Sequence, residues 1–121
     1  MVVTYTDPAN NQVVTVNVNS GGTFTLPALV TDFKVRVATT VDGVYEGPET
    51  FSLTAAVSGG PSGSDTSTIL DDGTGHVYNN DGTQNTGAPP DDDRPTLTVT
   101  GKDDVSEGSP SVFDVHLSNA Y

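Results

Sequence analysis

The sequence predicts an all-β protein, a β-sandwich of about seven short strands. Three observations point there. Val and Thr dominate short runs in which apolar residues fall at every second position, and both residue types suit strands. Thirteen Gly and eight Pro break the chain often. No long window carries an apolar stripe at the 3.6-residue helical period, so helix is not expected.

VVTYT near the start is the weakest of the strands. Residues 12–19, QVVTVNVN, alternate Val14, Val16 and Val18 against Thr15, Asn17 and Asn19, as a half-buried strand does. Gly21 and Gly22 make a turn, TFTL follows with Phe24 and Leu26 on one face, and Pro27 closes it. DFKVRVATT places Phe33, Val35 and Val37 inward, with Lys34 and Arg36 outward. ETFSLTAAV repeats the pattern with Phe51, Leu53, Ala55 and Val57. A Gly-rich loop at 59–63 precedes SDTSTIL at 64–70. TLTVT at 96–100 and SVFDVHL at 111–117 resume the alternation. Residues 71–94 hold four Gly, two Pro and six Asp, and read as a long loop or linker.

Apolar residues are only 33% of the chain, and there is no Cys or Trp. A secreted domain of this size often uses disulfides, and their absence leaves a cytosolic protein, a core that suffices alone, or a metal that does the stapling. No stretch approaches the roughly 18 apolar residues of a membrane span, so no membrane insertion by this segment is expected. Met1 is followed at once by strand-like sequence, which suggests a fragment of a longer protein without a signal peptide.

Charge is the strongest compositional signal. Sixteen acidic residues face four basic ones, a net of −12, and thirteen of the acids are Asp. Nucleic acid is excluded as an expected partner, because phosphate binding needs Lys and Arg. A solvated acidic surface would explain the count, but not the placement. The acids cluster at strand ends: Asp42, Glu46 and Glu49; Asp71 and Asp72; Asp91 to Asp93; Asp103, Asp104 and Glu107. Inter-strand loops of a sandwich gather at its two ends, where carboxylates from different loops can converge. Calcium takes six to eight oxygens at about 2.3–2.6 Å from carboxylates, carbonyls and water, whereas magnesium prefers fewer carboxylates. Crowded carboxylates repel without a cation. The expected calcium ligands are therefore Asp42, Glu46, Glu49, Asp71, Asp72, Asp103, Asp104 and Glu107. Asp7, Asp32, Asp65 and Asp114 read as solvated turn or surface residues. Neither an EF-hand loop nor a glycine-rich nonapeptide repeat is present.

An enzyme is not expected. The only histidines are His76, in the acidic loop, and His116, out of phase with the apolar residues of its strand. No nucleophile elbow, zinc spacing or phosphate loop occurs. A ligand-binding domain for carbohydrate, peptide or ice is the alternative, but the Tyr residues are scattered, the Phe residues sit at inward positions, and the Thr-x-Thr pieces are short.

The strings VYEGPETFSLTA, STILDDGTG and VSEGSPSVFDVHLSNA resemble the immunoglobulin-like extender repeats of giant bacterial RTX adhesins, of biofilm and ice-binding type; Calx-β domains carry a weaker form. The likeness spans residues 20–75 and 93–120. It implies an Ig-like Greek-key sandwich in a tandem array on the bacterial cell surface, with neighbouring repeats as partners and calcium at domain ends. On that analogy Glu46, Asp71, Asp72, Asp103 and Glu107 match the acidic motif positions. The order departs from the family's. Residues 1–75 look like the closing part of one repeat, 76–94 like an acidic Gly/Pro linker, and 95–121 like the opening strands of the next. Those strands either complete a permuted sandwich in the same chain or swap onto another molecule.

Overall fold

The structure is a computed structural model that describes residues 1–121. It is all-β, with seven strands and no helix: β1 (Val2–Asp7), β2 (Gln12–Asn17), β3 (Lys34–Arg36), β4 (Glu49–Ala56), β5 (Ser62–Ile69), β6 (Leu97–Gly101) and β7 (Phe113–Leu117). No helix is long and apolar enough to cross a membrane. The strands form three antiparallel sheets, ordered β2-β1-β3, β4-β5 and β6-β7. The chain divides into two compact units that no single cut separates. One comprises Met1–Thr40 with Tyr78–Asn85, the other Val41–Val77 with Thr86–Tyr121. The C-terminal strands therefore group with β4 and β5.

In the first unit, β1 lies between its partners. Val3 faces Val16 on one side and Val35 on the other. It is the most buried core residue at 2% exposure, and Val18 is the only other buried apolar residue. The alternation in β2 is as expected, with Val14 and Val16 half-buried between exposed neighbours. The β1–β2 turn closes through Asn11 N–H to the Asp7 carbonyl at 2.8 Å, with Asn11 in the left-handed region that Asn tolerates.

Two segments with strand-like alternation form less strand than expected. DFKVRVATT pairs only at Lys34–Arg36, because its partner β1 begins at Val2, which already faces Arg36. TFTL forms no ladder at all. A strand needs a neighbour for its backbone groups, and this segment instead delivers Phe24 edge-on to Phe33, with ring centres 5.6 Å apart.

In the second unit, β4 and β5 pair over eight residues, from Glu49 opposite Ile69 to Ala56 opposite Ser62. Phe51 and Leu53 are half-buried, while Ala55 and Val57 are exposed. The β6–β7 ladder sets Leu97 against Leu117, Val99 against Val115, and Gly101 against Phe113. Residues opposite one another share a face, so these apolar side chains form one side of the ribbon. That side faces water: Phe113 and Val115 are each more than 60% exposed. His116 pairs with Thr98 on the other side and is exposed, as is every residue of β7, so the strand's alternation does not separate an inner from an outer face.

Candidate functional site

The acidic segments 71–73 and 91–93 lie side by side. Gly73 N–H donates to the Asp91 carbonyl and Asp93 N–H to the Asp71 carbonyl, both at 2.8 Å, around an antiparallel bridge between Asp72 and Asp92. Those two flanking bonds make Asp72 and Asp92 a non-hydrogen-bonded pair with close side chains. Alternation then puts Asp71 and Asp93 on the opposite face. Gly73 has φ +75°, and a Cβ there would sit 2.9 Å from Asp92 Oδ2. The positive φ favours glycine, and a larger residue would also have to displace the Asp92 carboxylate.

The two faces differ in charge compensation. On one, the Thr74 hydroxyl and N–H donate to Asp72 Oδ1. Arg94 grips Asp92 bidentately, Nε to Oδ1 at 2.8 Å and Nη2 to Oδ2 at 2.7 Å. These donors hold both carboxyls below the ordinary range, Asp72 through Thr74 and Asp92 through Arg94. The Asp92 carboxylate in turn raises the proton affinity of Arg94. Both groups of this pair are about half exposed, so it adds little to stability.

The other face lacks such compensation. Asp93 is the one buried charged residue, at 9% exposure. Burial first, then the charges of Asp91, Asp42, Asp71 and Asp92, push its carboxyl above the ordinary 3.8, and every one of these influences acts in the same direction. Asp71 Oδ2 accepts the Glu46 N–H at 2.8 Å, but Asp71 Oδ1 is buried without a hydrogen-bond partner. The Asn119 side-chain amide donates to the Asp93 carbonyl at 3.2 Å and ties the C-terminal segment to this edge.

The expected ligands divide accordingly. Asp42 and Asp71 act on Asp93, and Asp72 sits on the compensated face. Glu46 contributes its backbone N–H here, while its side chain is exposed. Glu49 opens β4, exposed and opposite Ile69. Asp103, Asp104 and Glu107 are exposed between β6 and β7 and are not among the charges acting on Asp93. Asp91 and Asp93, which the structure brings to this edge, are not among the expected ligands. Their adjacency to Asp92 and to an Asp-Asp-Gly segment was the available signal, but the pairing with 71–73 spans twenty residues of chain and has no local signature.

Because folding raises the proton affinity of Asp93, its contribution favours the folded state at acid pH. That contribution is lost as pH rises through the folded value. In metal-free buffer, Asp93→Asn is therefore expected to raise the unfolding midpoint at neutral pH. The gain over wild type should shrink as pH falls toward about 4. Thermal melts of the two proteins across that range check this. An equal difference at every pH would show that Asp93 does not carry the effect.

No known protein-family model matches this chain, and no curated protein or solved structure shows significant similarity to it.

Proposed function

We propose that this chain is a calcium-stabilised structural extender module of an extracellular bacterial cell-surface adhesin. Its neighbouring repeats are its partners, and its role is to stiffen a tandem array that projects ligand-binding domains, rather than to catalyse. The module and adhesin reading comes from the motif resemblance. The calcium reading is carried by one observation: a buried Asp93 carboxylate, crowded by other Asp residues, beside the orphaned Asp71 Oδ1.

The donor chemistry suits a hard divalent cation, all oxygen and mostly carboxylate. Asp71 and Asp93 would hold the ion, with Asp42 and Asp91, whose charges also act on Asp93, to join them. No three acidic side chains share a ligand position in this structure, so side-chain rotation and backbone carbonyls must complete the shell. The bound ion would replace mutual repulsion by attraction and so favour the folded state.

Isothermal titration tests the ligand set. Asp71→Asn and Asp93→Asn are each expected to weaken calcium binding about tenfold or more, about 1.4 kcal/mol. The triple change Asp103→Asn, Asp104→Asn, Glu107→Gln is expected to leave the same site's affinity in place. Loss of binding in the triple variant alone would move the site to the β6–β7 loop and reject the assignment.

A further inference from the structure

The chain contains three Asp-Gly steps, Asp42–Gly43, Asp72–Gly73 and Asp81–Gly82. Such steps carry an intrinsic reaction. The glycine nitrogen attacks the aspartate Cγ, an N–Cγ bond forms, a Cγ–O bond breaks, and one water leaves. The five-membered succinimide that results is then opened by water. Opening at Cγ restores aspartate; opening at the main-chain carbonyl gives isoaspartate, with one extra methylene in the backbone. Glycine favours the reaction because no Cβ hinders its nitrogen and its backbone turns freely.

The three steps share one local geometry. In each, Asp Oδ1 accepts the N–H two residues on: Val44 at 2.9 Å, Thr74 at 3.0 Å and Thr83 at 2.9 Å. They differ in the attacking nitrogen. Gly73 N–H is engaged by the Asp91 carbonyl at 2.8 Å, and Gly82 N–H by the Asn79 carbonyl at 3.0 Å. Gly43 N–H makes no hydrogen bond within the chain. The carboxylates differ as well. The Thr74 and Thr83 hydroxyls also donate to Asp72 and Asp81, while position 44 is a valine with no hydroxyl to offer. Asp42 and Gly43 are both exposed, and nothing lies within 4 Å of where a Gly43 Cβ would be.

From these differences we infer that Asp42–Gly43 is the chain's site of spontaneous isoaspartate formation, with Asp72 and Asp81 protected by the fold. At the protected steps the turn must open before the nitrogen can attack, and an opening free energy of about 1.4 kcal/mol slows reaction about tenfold.

The test is ageing of the full chain at neutral pH, in a buffer where its amide NMR spectrum is dispersed. A parallel sample is aged in denaturant, and peptide mapping reads isoaspartate at each step. In the folded sample, isoaspartate is expected at Asp42 about tenfold faster than at Asp72 or Asp81. In denaturant the three steps should react at similar rates. Asp42→Glu, which cannot close the five-membered ring, should remove the early product from the folded sample. Isomerisation of Asp72 or Asp81 as fast as Asp42 in the folded chain would overturn the inference. So would the same preference for Asp42 in denaturant, since the fold would then not be its cause.

Discussion

Calcium added to the metal-free protein is expected to raise its thermal unfolding midpoint by about 10 °C, with magnesium at the same concentration giving a much smaller shift. The size follows from mass action. A ligand that binds only the native state stabilises it by about 2.7 kcal/mol at one hundred times its dissociation constant. For a domain of this size each kcal/mol moves the midpoint by about 4 °C. The ion selectivity follows from the donors: magnesium keeps several waters and fits poorly among many carboxylates. Scanning calorimetry with calcium, magnesium and chelator measures the shift. A midpoint that ignores calcium would reduce the acids to a solvated surface and end the proposal of a calcium-stabilised module.

The second large effect is expected at Val3. It sits at the centre of β2-β1-β3, opposite Val16 and Val35, at 2% exposure. Val3→Ala removes two buried carbons and leaves a cavity, so it should cost about 2 kcal/mol. Val3→Asp places an uncompensated charge in the same position and should cost more than about 3 kcal/mol. With Val18 the only other buried apolar residue, the remaining core cannot absorb that loss, and the β2-β1-β3 sheet is expected to melt. Loss of amide protection in β1, β2 and β3 by hydrogen exchange would report it. Retained protection in Val3→Asp would show that the sheet does not depend on this residue.

What could be read in the sequence depended on how local the cause was. The β2 alternation of Val14 and Val16 is local, and it appears as expected. The β4 pattern is legible for the same reason at Phe51 and Leu53. TFTL had the right pattern but no partner, and partners are not written in a strand's own residues. The site shows the same limit. The acid clusters at strand ends, with Asp42, Asp71 and Asp72 among them, are local and legible. Asp93 acquires its character only when the backbone of 91–93 pairs with 71–73 and buries it. Asp103, Asp104 and Glu107 are just as legible as an acid cluster, and nothing local tells that they stand apart from the charges acting on Asp93.

The β6–β7 ribbon has an energetic consequence of its own. Two strands by themselves are only marginally stable in water, and here Leu97, Val99, Phe113, Val115 and Leu117 are all left wet. Covering one such side chain completely is worth about 1.5–3 kcal/mol, so shielding five of them outweighs the few kcal/mol that decide whether a hairpin persists. With those side chains wet, the ribbon rests on the pairing of its ten ladder residues, and any surface that covered them would stabilise it by more than that pairing does.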